Sequence, residues 1–374
     1  MRKKIKKSDI KLLLNLIWKF RTLAIFILVF FGLKVIGNLT SLPDTLFQSI
    51  GNHLGNLVYS FSSYFSFSLG DVFYFIIAIL LIKFLVKLIR SFRQKNNAKA
   101  KVQIDSFFKI ITLVYVFFYL IWGYNYYKQP LQEIYESESP KLSELKNAAN
   151  YYYKTAKSYR EKVKEDKNGV FKHEISDEEL RAEIRNSVYK IQQNYPEIHF
   201  VHLFSPNLKP SLYSAGISYL GISGYYNPFT AESHFNTKMA ETALLFTQLH
   251  ETAHQFGFAP ENEANFIGFL LGKESVHPDL IYISSFRAMR SILNRIFLYD
   301  PLFVKDFVEN KYSEGMKRDR EYEIEISKKY GGPADDVFSL MNEAFLKMNN
   351  QEGLESYGRF VDLLIGFHRK YPLE

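Results

Sequence analysis

The chain has 374 residues, no cysteine and a formal net charge of +8. That length allows two or three compact units with a sizeable core. The lack of cysteine excludes disulfide frameworks, thiol catalysis, iron–sulfur clusters and cysteine-ligated zinc. A basic chain invites a nucleic-acid reading, but the charge is segregated. Met1–Ser106 carries 16 Lys and Arg against 4 Asp and Glu, a net of +12, and the remainder has a net of −4. The basic excess coincides with the apolar runs, which points to membrane topology rather than to a nucleic-acid surface.

Three apolar stretches come first, at residues 20–39, 72–89 and 107–124. Each is close to the ~18–20 residues that a bilayer crossing requires. Lys34, Lys83, Lys87 and Lys109 fall near segment ends, where a lysine reaches the interface. The competing reading, three core helices of a soluble protein, fits poorly with interior lysines and tandem aromatics. MRKKIKKSDIK precedes the first stretch and KLIRSFRQKNNAKAK joins the second to the third, whereas residues 40–70 contain no Lys or Arg. The positive-inside rule then puts the N-terminus in the cytoplasm and everything after the third span outside it. No small-residue cleavage site follows the first span, so it reads as an uncleaved anchor. The expected division is a membrane anchor over 1–124 and an extracytoplasmic domain over 125–374. Within the 40–70 loop, Leu46, Phe47, Ile50, Leu54, Leu57 and Val58 recur at helical spacing. They predict a short helix, lying on the outer membrane surface or packed on the domain.

The remaining 250 residues read as a helix-rich α+β domain. Ser139 and Pro140 mark a helix start, with a run to about Val163. Ser176 and Glu179 form a capping box before another helix. Between Ile198 and Phe235, IHFVHLF and GISYLGISGYY predict two to four short strands. Helical pattern returns from Glu241, with breaks near Gly257, Val276, Tyr299, Gly331 and Gln351.

The chemistry concentrates in HETAHQFGFAPENEANF, His250–Phe266. It contains HExxH, which composition alone would produce with roughly a 2% chance in a chain like this. On a helix, positions i and i+4 share a face, so His250 and His254 can address one ion. Zinc accepts two imidazole nitrogens and a carboxylate and leaves a position for water. Glu251, next to the first ligand, is the expected general base. The third ligand is expected just beyond the turn at Gly257. Glu261 and Glu263 are the candidates, and because they lie about 200° apart on a helix only one can serve. Glu261 is preferred, with Glu263 the alternative; Asn265, four residues on, is placed to support a ligand histidine. Glycines 216, 221 and 224 suit a strand edge that an extended peptide approaches. Tyr225, Tyr226, His234, Tyr357 and Arg359 are candidate oxyanion or substrate contacts. His199, His202, His277 and His368 are weaker candidates.

The chain resembles the bacterial membrane proteins grouped as domain of unknown function 3810. The resemblance rests on FSLGDVFY (Phe67–Tyr74), WGYNYYKQPL (Trp122–Leu131), SYLGISGYYNPFT (Ser218–Thr230), the HExxH block and SYGRFVDLL (Ser356–Leu364). It implies a zincin-type metallopeptidase domain with zinc on His250, His254 and Glu261 and with Glu251 as base. Asn265 stands where similar third-ligand helices often carry Asp, so it brings no charge to a histidine. The resulting expectation is a multi-pass protein of the bacterial cytoplasmic membrane that hydrolyses envelope peptides or proteins and binds no nucleic acid. The alternative is a non-catalytic envelope binding protein that retains the fold as a scaffold.

Overall fold

The computed structural model describes residues 21–38, 48–135, 138–200, 205–348 and 359–373. The basic N-terminus, Leu46, Phe47, His202 and Tyr357 lie outside the described residues. In chain order the helices are α1 (Arg21–Asn38), α2 (Gln48–Ser62), α3 (Leu69–Arg93), α4 (Asn97–Ile121), α5 (Leu131–Tyr135), α6 (Leu142–Arg160) and α7 (Asp177–Asn194). The strands β1 (Leu208–Pro210), β2 (Gly224–Asn227) and β3 (Glu232–Phe235) follow, with α8 (Ser214–Ser218) between the first two. Then come α9 (Glu241–Gln255), α10 (Glu261–Lys273), α11 (Pro278–Phe297), α12 (Pro301–Asp306), α13 (Glu314–Tyr330), α14 (Pro333–Met348) and α15 (Phe360–Lys370).

The described residues form two compact units. One holds those up to Leu54 together with Val72–Tyr127; the other joins Gly55–Asp71 to those from Lys128 onward. Three helices, α1, α3 and α4, are long and apolar enough to cross a membrane. Each of α3 and α4 extends beyond its apolar run into the basic flank, because Lys and Arg are good helix formers and nothing in KLIRSFR breaks the pattern. In the first unit α1 packs on α4 through Phe26 and Phe30 against Tyr115, and the Tyr119 hydroxyl donates to the Leu33 carbonyl at 2.9 Å.

In the second unit the core lies where α9, α10 and α11 meet, with α6 and α15 packed around them. Leu249 and Ala253 of α9, Phe266 and Leu270 of α10, and Ile283 and Met289 of α11 are fully buried. A buried ion pair, Arg160 with Asp319 at 2.6 Å, ties α6 to α13. Asp319 also accepts from the Tyr282 hydroxyl and from the Phe171 amide, so its charge is well compensated. The sheet has the order β1–β3–β2, with β3 parallel to β1 and antiparallel to β2.

Several expected elements shift. The capping box of Ser176 and Glu179 forms. Ser139 and Pro140, in contrast, do not start a helix: α6 begins at Leu142, where the Lys141 amide is closed off by the Glu144 carboxylate at 2.7 Å. His199 is in no strand, and Ser214–Ser218 of the Gly/Tyr-rich stretch is a helical turn. Short runs of serine and β-branched residues carry little propensity of their own, and hydrogen bonds from Ser214 and Ser218 back to carbonyls on the same turn favour the helical form here.

His368, in the last turn of α15, illustrates how this domain buries a neutral imidazole. Its Nδ1 faces the Tyr371 carbonyl at 3.2 Å and its Nε2 faces the Tyr152 hydroxyl. The first contact takes a donor and the second supplies one, which suits the uncharged ring. Burial pushes His368 down to about 4. A lowered histidine adds stability that is complete above the unfolded value near 6.5 and is lost as pH falls towards 4, about 3 kcal/mol in all. Thermal melts of the purified protein between pH 7 and pH 4.5 should therefore fall more steeply for the wild type than for His368→Gln; parallel curves would show that the ring is not a buried neutral group.

Candidate metal centre

α9 ends because Gly257 takes φ +94°, a left-handed conformation that glycine adopts without strain. The chain then turns, Pro260 occupies the position before the next helix, and α10 starts at Glu261. Gly268 lets α10 lie close against the backbone of α9: a Cβ there would sit 3.1 Å from the His250 nitrogen. This crossing carries Glu261 to the two histidines. Its Oε2 lies 3.2 Å from His250 Nε2 and 3.7 Å from His254 Nε2. The ligand atoms of His250, His254 and Glu261 all fall within 4.8 Å of one another. Tetrahedral coordination at zinc–ligand distances of about 2.0–2.1 Å requires ligand atoms roughly 3.3 Å apart, so this donor set fits such an ion. His254 Nδ1 is engaged by the Phe258 carbonyl at 2.7 Å, which fixes the tautomer and leaves Nε2 as the ligand atom.

The electrostatics agree with a cation site. Burial would drive the proton from His254, but the Glu261 carboxylate against it overcomes that and raises it to about 9. Burial likewise raises Glu261, and the two imidazoles reverse this and hold it well below the usual carboxylate range. His250 is lowered, by burial first. The carboxylate between the rings therefore favours positive charge at this place, whether a proton or a metal cation supplies it. Glu251 is buried beside them, and its Oε2 has no hydrogen-bond partner among the described residues. Burial, with Glu261 adding to it, pushes Glu251 up to about 8 despite His254.

The other sequence candidates separate by position. Glu263 is not at the cluster. It accepts the Leu131 amide at 2.7 Å, capping α5, and burial raises it to about 7. Asn265 does not support a histidine: its amide donates to the Glu261 carbonyl, one turn back on its own helix, at 2.9 Å, and His250 Nδ1 has no partner among the described residues. A short side chain inside a helix reaches the carbonyl four residues back more readily than a neighbouring helix. Arg359 stands immediately before α15.

The sheet divides the remaining candidates by face. Side chains alternate along a strand. Gly224 of β2 faces α9, where a Cβ would lie 2.8 Å from Glu251 Cγ, and Ser233 of β3 donates to the Glu251 carbonyl at 2.9 Å. Tyr226, paired with Ser233, shares that face. Tyr225 and His234 are paired with each other, stack at 4.6 Å and point the opposite way. β2 is an outer strand of the sheet, as expected of an edge beside the site. Of the three glycines only Gly224 permits a close approach there; Gly216 faces open space.

On that opposite face the sequence reading missed a buried polar group. His234 Nε2 meets the Ser68 hydroxyl at 2.7 Å. The Glu232 carboxylate accepts the amides of Leu69 and Gly70 at 3.2 and 2.6 Å, neutralising the first free N–H groups of α3. Asp71 accepts the Leu212 amide at 2.6 Å and the Tyr225 hydroxyl. Ser68, Asp71, Glu232 and His234 are all fully buried. The signal was present in SLGD, a Ser cap with an acid three residues on, but its partners lie more than 130 residues away.

Comparison with known proteins places the chain. The model of the family described as "Protein of unknown function (DUF3810)" matches residues 48–365, and the chain belongs to that family. The match includes α9, α10, the sheet and the SLGD turn and leaves α1 outside it. No curated protein and no solved structure matches.

The geometry separates the two glutamates experimentally. Glu261→Gln should lower zinc retention at least tenfold, since it removes the charged donor, while Glu263→Gln keeps an oxygen for the Leu131 amide and should retain zinc at the wild-type level. Metal analysis of the purified, dialysed variants reads this directly; equal loss in both would remove Glu261 from the ligand set.

Proposed function

We propose that this protein is a membrane-anchored, zinc-dependent peptidase acting on peptides or proteins outside the cytoplasm. The observation that carries the reading is the convergence of His250, His254 and Glu261 with the unpartnered carboxylate oxygen of Glu251 beside them. His250, His254 and Glu261 would hold the ion. A bound zinc ion would polarise a carbonyl and bring the pKa of a water near neutrality.

Glu251 supplies the proton chemistry. Its carboxylate takes the proton of the attacking water and returns it to the departing amine nitrogen. Burial suits it to both tasks, because a carboxylate with raised proton affinity is a stronger base and, once protonated, an acid available near neutral pH. Ser233, through the Glu251 carbonyl, and Gly224, by its lack of a side chain, hold α9 against the sheet at that residue. The outer edge of β2 offers backbone groups to an extended peptide lying across α9. Tyr226, on the α9 face of β2, is the sequence candidate best placed to meet such a peptide.

Loss of the base and loss of a ligand should differ. Glu251→Gln should keep zinc and lower peptide hydrolysis by roughly 10²–10⁴-fold, whereas His250→Ala should lose both. Hydrolysis by Glu251→Gln at the wild-type rate would favour the scaffold alternative or a contaminating enzyme.

The charge pattern supports the orientation, with the basic α3–α4 connection cytoplasmic and the metal centre outside. The cysteine-free chain makes a clean background for testing it. In intact spheroplasts a membrane-impermeant maleimide should label Lys167→Cys and spare Lys99→Cys, both exposed positions. The reverse pattern would place the metal centre in the cytoplasm.

A further inference from the structure

Arg287 on α11 has no role in the proposed chemistry and no carboxylate bound to it among the described residues. Its side chain is exposed to solvent. Its guanidinium stands over the ring of Phe246 at 5.2 Å. Phe246 lies on α9 one turn before His250, and 246, 250 and 254 form one row along the helix. The cation therefore stands against the residue one helical turn before the first of the two histidines, and its charge acts on His250. Desolvation lowers the Arg287 pKa, with the charge of Arg290 adding to the effect and that of Glu323 opposing it. Arg290 differs: it is paired with Glu323, which also accepts from Thr242.

A cleft opens against the same half of α9, lined by Ser223, Asn236, Met239, Ala243 and Glu323. Ala243 precedes Phe246 by three residues and Ser223 leads into β2, so the cleft borders the start of that strand and the first turn of α9. Its charged groups are Lys238, Glu323 and Asp335, and Glu323 is already engaged by Arg290. An exposed guanidinium beside Phe246, with no carboxylate bound to it among the described residues, is a ready partner for an anion of planar, two-oxygen geometry.

We propose that Arg287 binds a carboxylate of the substrate, so that the site favours peptides carrying a free carboxylate within a residue or two of the bond to be cut. This rests on the peptidase reading. The carboxylate has two sources, a free C-terminus or an acidic side chain, and both present the same two oxygens. Cation–aromatic stacking on Phe246 holds the guanidinium plane in place and lowers the entropy lost on binding.

The test uses the zinc-loaded, full-length Glu251→Gln protein in detergent, which reads binding apart from hydrolysis. The probes are fluorescein-labelled hexapeptides in matched pairs, one pair differing as C-terminal acid against amide, the other as internal Glu against Gln with amidated ends. At least one acid should bind about tenfold more tightly than its neutral partner, and the pair that differs names the source. Adding Arg287→Gln should reduce that ratio below about twofold while zinc content stays unchanged. Absence of measurable binding by all four peptides, equal binding within both pairs, or a preference that survives Arg287→Gln overturns the assignment. Hydrolysis of the same peptides by the wild-type protein is read separately. If zinc is bound and no peptide is cut, the peptidase reading fails while the binding ratio still reports on Arg287.

Discussion

The site depends on one interaction, the Glu261 carboxylate set between two imidazoles whose other contacts differ. His254 is held from behind by the Phe258 carbonyl; His250 Nδ1 has no hydrogen-bond partner among the described residues. Bringing a carboxylate and two rings into an interior without a compensating positive charge is unfavourable. The opposite charges of the carboxylate and the imidazoles offset that cost, raising His254 and lowering Glu261. The rest of the local architecture follows from that requirement. α9 has to stop at Gly257, α10 has to begin at Glu261, and the two helices have to approach as closely as Gly268 allows.

The sheet is small, yet it has two distinct jobs on its two faces. One face packs on α9 through Gly224 and Ser233 and holds the backbone at Glu251. The other buries Glu232, His234 and Tyr225 against Ser68–Asp71, the turn from which the apolar helix α3 begins. Glu232 and Ser233 are adjacent in β3, so a single residue step separates the contact to the α3 turn from the contact to the HExxH helix. That adjacency is built into strand geometry, where neighbouring side chains point opposite ways. It gives the α3 turn a place in the same folded unit as His250, His254 and Glu261.

Much of this was legible in the chain. The three apolar runs, the helix-rich α+β character, the Ser176 cap and the Gly257 stop are local features, set by composition and by periodicity over one or two turns. That only one of Glu261 and Glu263 could reach the histidines was legible for the same reason, since residues two apart on a helix point roughly opposite ways; that it is Glu261 was decided by the approach of α10 to α9. The parts that resisted share another cause. Tyr225 and His234 were natural candidates beside a metal helix, and only strand pairing revealed that they face away. Asn265 satisfied a spacing argument, but a closer carbonyl on its own helix claimed it.

The sequence by itself determined the donors, their spacing on α9, the acid that follows the turn and the segregation of charge around the apolar helices, because each depends on residues near one another in the chain. The tertiary structure decided which face of β2 meets Glu251, what Ser68, Asp71 and Glu232 do, and that Arg287 stands over Phe246 on the histidine row. Those relations join residues tens to more than a hundred positions apart. No periodicity encodes them; they exist only once α9, α10, α11 and the sheet have packed.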